Sequence, residues 1–179
     1  LSSIMYGLCK LDVDPSSRFL KLWSEQCIAV IGTCEPQALS NTAYALAKLG
    51  FGPKKLCESF FLKLSGACVA QISLFNAQDL SNCVYAFGKL KLDRKELCSS
   101  FFEAWSKACV SLMSKFEPQE LANILHGLGH LKIEKRELCS DFIVSISRPC
   151  VDLMSRFTCQ HLANVVHGIG QLRLEKRDL

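Results

Sequence analysis

Gln37, Asn41, Tyr44 and Lys48 stand at offsets of 0, 4, 7 and 11 along the chain. The same offsets return as Gln78, Asn82, Tyr85 and Lys89, as Gln119, Asn123, His126 and His130, and as Gln160, Asn164, His167 and Gln171. Such offsets fall along one side of an α-helix. Four helices set side by side would turn them into a ladder of amides, rings and basic tips. That combination suits single-stranded RNA. Amides donate to and accept from base edges, rings stack on unpaired bases, and lysine meets phosphate. A packing role competes with this at two of the four positions, where the Asn could bond a neighbouring backbone and the Tyr or His could fill an interhelix gap.

A second row of charge recurs beside the first. Lys54 and Lys55, Arg94 and Lys95, Lys135 and Arg136, and Lys176 and Arg177 each follow the end of one ladder segment. Repeated at every unit, this basic step would give a phosphate backbone a positive edge to follow. Glu96, Glu137 and Asp178 sit beside it and weaken its field, and a solvated turn is the competing reading.

Other chemistries find little to work with. No nucleophile with a base, paired carboxylates or Gly-rich phosphate loop occurs at workable spacing, so no enzyme is expected. Asp141 and Asp152 are isolated acids, and His126 with His130 lacks the glutamate of a zinc-protease helix because Gly127 occupies its place. No metal site and no cofactor is expected.

The elements that must position these residues are announced by a repeat. The triplet Leu-[Ser/Ala]-Asn begins at Leu39, Leu80, Leu121 and Leu162, a constant period of 41 (80 − 39, 121 − 80, 162 − 121). A weaker copy opens the chain at Leu1-Ser2-Ser3-Ile4-Met5-Tyr6-Gly7-Leu8. Repeats of this length make stacked arrays whose units lean on their neighbours and whose usual work is binding. The expected fold is all-α, an α-solenoid of stacked antiparallel helix pairs. Residues 1–179 form one continuous array, with units at about 1–33, 34–74, 75–115 and 116–156 and a partial unit at 157–179.

In the unit 75–115, Asn76 is placed to cap a first helix over about Gln78 to Leu90, with Phe75 stapled to Leu80. Pro36 and Pro118 suit the first position of the equivalent helices, and Gly50 suits a left-handed end. A second helix is expected over about Arg94 to Ser114, burying Leu97, Phe101, Phe102, Trp105, Cys109 and Leu112. Pro149 should kink or break its counterpart.

The chain has 179 residues, 49% of them hydrophobic, and a net charge of +4, which permits a polyanionic partner without requiring one. No apolar run reaches the roughly 18 residues of a membrane span. Of eleven cysteines, Cys27, Cys68, Cys109 and Cys150 recur at the period of the repeat, as do Cys57, Cys98 and Cys139. They fill equivalent sites as small buried hydrophobes do, and free thiols are expected. Leu1, Ile4, Met5 and Leu8 offer an apolar face at one end, and the helix ending at Leu172 lacks its partner at the other. Both suggest a piece of a longer array.

The motif carried by Phe116-Glu117-Pro118-Gln119-Glu120-Leu121-Ala122-Asn123 and by Pro36-Gln37-Ala38-Leu39-Ser40-Asn41-Thr42-Ala43-Tyr44-Ala45-Leu46-Ala47-Lys48-Leu49 resembles the first helix of octotricopeptide and heptatricopeptide repeats. It is also similar to the repeats of RAP-domain and FAST kinase-like proteins, and the likeness extends over essentially the whole chain. The resemblance implies an organellar RNA-binding solenoid, mitochondrial or alternatively plastid. It would act in RNA maturation and stability or as a structural part of a mitochondrial ribosome-like particle, with single-stranded or ribosomal RNA and neighbouring proteins as partners. The alternative is a protein-binding scaffold of the HEAT or armadillo kind.

Overall fold

The computed structural model of the chain describes residues 15–172 together with Gly7. Among the described residues there is no strand, and eight α-helices are joined by short 3-10 turns. They are α1 (Ser17–Val30), α2 (Pro36–Leu49), α3 (Phe60–Ala70), α4 (Ala77–Lys89), α5 (Phe101–Ser111), α6 (Pro118–Leu131), α7 (Phe142–Asp152) and α8 (Cys159–Gln171). The even-numbered helices are the first of each pair and the odd-numbered ones the second. Each packs on its counterpart in the next unit, which makes the chain an α-solenoid. The face formed by Leu1, Ile4, Met5 and Leu8, and the basic step Lys176 and Arg177, lie outside the described residues.

Local chemistry starts and stops the first helices where the sequence says it should. Pro36 and Pro118 occupy the first turn of α2 and α6. Before α4 the Asn76 side chain accepts from the Asp79 N–H at 2.9 Å, while Asp79 accepts from the Asn76 N–H, a reciprocal capping box. Phe75 with Leu80, and Phe116 with Leu121, are buried as staples. Gly50 ends α2 in the left-handed region at φ 68°. Lys91 and Lys132, one and two periods further along the chain, hold the same conformation at φ 54° and 53°. A side chain there costs about 1 kcal/mol that glycine avoids. Lys132→Gly should therefore raise the urea midpoint, by about 0.5–1 kcal/mol of stability.

The second helices are shorter than expected. α5 begins at Phe101 rather than near Arg94, because Asp93 and Glu96 close a capping box around a separate 3-10 turn, Arg94–Glu96. Leu97 then takes an extended conformation (φ −118°, ψ 153°) that turns its side chain into the core. Glu134, Glu137 and Leu138 repeat the device one unit later. At the other end, Met113–Lys115 forms a second 3-10 turn, and Leu112 is only half-buried. Of the kink or break expected at Pro149, the break does not occur, since α7 runs through it to Asp152. The proline sits near the C-terminal end and sacrifices its own N–H only, while its carbonyl still accepts from the Leu153 N–H at 3.0 Å.

One hydrogen bond fastens each unit to the next and follows the repeat. Ser24, Ser65 and Ser106, fully buried in α1, α3 and α5, accept from the backbone N–H of Cys57, Cys98 and Cys139 at 2.9, 2.8 and 2.8 Å. Each hydroxyl also donates to a carbonyl of its own helix. Removing the acceptor would leave a buried N–H unpaired at about 1–3 kcal/mol. Ser106→Ala should lose that much in urea unfolding, and Ser111→Ala, at an exposed position, should lose little.

Small residues let the first helices approach closely. A Cβ added at Gly127 would lie 2.5 Å from the Val84 carbonyl oxygen, and Cβ atoms at Gly88 and Gly168 would meet the neighbouring helix's backbone more closely still. The second helices touch one another less.

The ten described cysteines are all free. Burial pushes Cys27 up to about 12 and Cys150 up to about 11. Cys83 is raised by its contact with Cys68, whose sulfur lies 3.9 Å away, and Cys109 by burial. These thiols stay protonated and act as packing groups.

Candidate nucleic-acid interface

The four ladder segments lie on α2, α4, α6 and α8, which pack side by side in chain order. Gln37, Gln78, Gln119 and Gln160 are all exposed, one on each of α2, α4, α6 and α8. The Asn column is less uniform. Asn41 is exposed, Asn123 and Asn164 are half-buried, and Asn82 retains only 8% of its surface, which withdraws it from the direct base contact expected of it. Ser81 and Cys83 beside it are buried too, because α4 is covered by helices on both sides. Among the described residues Asn41, Asn82 and Asn123 make no side-chain hydrogen bond, and the competing reading of a bond to a neighbouring backbone has no counterpart at these three. Asn164 accepts from Gln160 at 3.0 Å on its own helix.

The ring positions form a continuous row of neighbouring rings, one pair of them stacked and two tilted. Tyr44 lies 5.8 Å from Tyr85, Tyr85 is stacked on His126 at 5.9 Å with 28° between planes, and His126 lies 5.7 Å from His167. Ring meets ring across units, the arrangement that the competing packing reading of this column describes. Lys48 and Lys89 reach over Tyr44 and Tyr85 at 5.3 and 5.9 Å and remain exposed. His130 is half-buried and Gln171 exposed.

The connector row is less free than its composition suggests. Arg94 is bound to Glu137 of the next unit through two hydrogen bonds of 2.6 and 3.0 Å, donates to the Lys132 carbonyl, and lies over the Phe102 ring. A guanidinium so committed fastens units together. It also helps hold the Glu137 carboxyl below the usual range against burial, which acts to raise it. Arg136 pairs with Glu134 at 2.7 Å while staying largely exposed. Lys55 packs over Phe51 at 4.6 Å. Lys54, Lys95 and Lys135 are exposed.

Two basic residues escaped the sequence reading. Lys91 and Lys132, exposed at the left-handed helix ends, stand between the ladder and the connector row. They border a surface depression of about 620 Å³ shared with His130, Arg94, Arg136 and Glu137, so the two rows meet there. Their signal was the equivalence with Gly50, since 50 + 41 is 91 and 91 + 41 is 132.

No metal site is expected from the sequence, yet three histidines lie close together. His126 and His130 of α6 and His167 of α8 come together with one ligand-capable atom from each within 4.8 Å of the others. Burial lowers the pKa of both His126 and His130 below the ordinary imidazole value, assisted by the neighbouring histidines and by Lys89 at His126 and Lys91 at His130. No helix among the described residues is long and apolar enough to cross a membrane. No known protein-family model matches the chain, and no curated protein shows significant similarity to it.

Proposed function

We propose that the array binds single-stranded RNA along the exposed side of its first helices. The observation that carries this reading is the column Gln37, Gln78, Gln119 and Gln160, exposed on the first helices of four successive units and flanked by Lys48 and Lys89. Amides repeated at a fixed step on a rigid support can meet successive bases, and lysines at the same edge can meet the phosphates between them. Lys54, Lys91, Lys95 and Lys132 extend the positive charge toward the connectors. The work envisaged is RNA maturation or stability, or a structural part in a mitochondrial ribosome-like particle, with a plastid as the alternative compartment. In this reading the protein is no enzyme, and neighbouring proteins of a ribonucleoprotein complex are further partners.

A second reading draws on the Arg94 and Glu137 pair and on the row of rings. Both spend potential RNA-binding groups on internal contacts, as a protein-binding scaffold would. Fluorescence anisotropy with labelled single-stranded RNA over a range of salt separates the two. The RNA reading expects affinity that falls as salt rises, and the scaffold reading expects none at any salt.

A further inference from the structure

We propose that His126, His130 and His167 form a binding site for one divalent transition-metal ion, Zn²⁺ being the ion of choice, held between two units of the array. This inference is independent of the RNA reading.

Two imidazoles at i and i+4 share one face of a helix, a spacing at which both can reach a single ion. His130 lies 4.4 Å from His126 between ring centroids, and His167 of α8 lies 5.2 Å from His130 and 5.7 Å from His126. The three ligand atoms fall within 4.8 Å of one another. A tetrahedral zinc with bonds of about 2.0–2.1 Å needs nitrogens about 3.4 Å apart. Side-chain rotation covers the difference, because His167 is exposed and His130 half-buried.

A separate observation points to an absent partner. His126 Nδ1 is buried with no hydrogen-bond partner among the described residues. A polar nitrogen in that condition calls for a group that the described residues do not supply. The Tyr85 ring stacked on His126 fixes the plane of the imidazole. Neutral imidazole is the ligating form. Lys89 and Lys91 of the neighbouring unit face these histidines and repel a cation, an effect that salt screens because both are exposed. Imidazole suits Zn²⁺, Cu²⁺ and Ni²⁺, and a set of three protein nitrogens leaves a fourth position open to water or to another ligand.

Titration of the reduced full chain with ZnCl₂ or CoCl₂ tests the site, and the cobalt spectrum separates imidazole from thiolate ligation. The expected result is one equivalent bound, without sulfur-to-metal charge-transfer absorption, and a melting temperature that rises with metal concentration. His167→Ala, at an exposed position, should melt like the parent in EDTA and bind at least about tenfold more weakly. His161→Ala, outside the cluster, should keep the parent's affinity. The proposal is overturned if no stoichiometric metal binds, if the cobalt form carries thiolate bands, or if His167→Ala binds as tightly as the parent. Should a variant melt early in EDTA, the parent's own stoichiometry and spectrum decide.

Discussion

Replacing Gly127 with alanine should destabilise the array by about 2–3 kcal/mol, although alanine is the better helix former by about 1 kcal/mol. The new methyl would lie 2.5 Å from the Val84 carbonyl oxygen and against the Tyr85 backbone N–H group. What it meets is helix backbone, which cannot rotate aside as a side chain could, so α4 and α6 must separate. Separation would spread to the row of rings, because Tyr85 and His126 come from the same two helices. Gly66 of α3 supplies the contrast, having nothing within 4 Å of an added Cβ. Gly66→Ala should gain up to about 1 kcal/mol from propensity alone. Urea unfolding followed by circular dichroism measures both. A Gly127→Ala protein as stable as the parent would mean that the first helices do not pack as closely as described.

The triple variant Lys54→Ala, Lys89→Ala and Lys95→Ala should bind single-stranded RNA about 100-fold more weakly at about 0.1 M salt. Each phosphate contact on a single strand contributes roughly 0.7 to the slope of log affinity against log salt, so three lost contacts flatten it by about 2. The loss should be similar for every RNA sequence, because phosphates carry no sequence. Arg94→Ala should behave differently. Its guanidinium is engaged by Glu137 and the Lys132 carbonyl, so the change should lower the melting temperature and leave the salt slope nearly as it was. If the lysine variant keeps the parent's slope while Arg94→Ala flattens it, phosphate contact has been assigned to the wrong residues.

The contrast between those variants marks how far the sequence could be read. The solenoid was legible because a constant period places equivalent residues in register, and caps such as Asn76 and Pro118 act within a single turn of chain. α4, expected over about Gln78 to Leu90, runs from Ala77 to Lys89. α5 does not keep its expected start, because the stretch before it mixes helix-forming side chains with a capping box that is closed only by the local fold of Asp93 and Glu96. The site was half legible. Offsets along one helix identify the glutamine column, but they say nothing of what lies across from it. Asn82 is buried because α2 and α6 both cover α4, and Arg94 is occupied because Glu137 stands opposite it on the next connector. The histidine cluster failed to appear for the same reason, since spacing rules for metal ligands look within a motif and His167 joins from the following unit. The interlocking serines Ser24, Ser65 and Ser106 recur once per unit in plain view, yet a hydroxyl's partner is fixed only when two units meet.

The most direct test of the central claim is ultraviolet crosslinking of the chain to single-stranded RNA, with the adducts located by mass spectrometry. Adducts are expected on the peptides of α2, α4, α6 and α8 that carry Gln37 to Lys48, Gln78 to Lys89, Gln119 to His130 and Gln160 to Gln171. Adducts confined to the exposed faces of α3, α5 and α7, or none at RNA concentrations well above those of the protein, would contradict the account and favour the protein-binding scaffold.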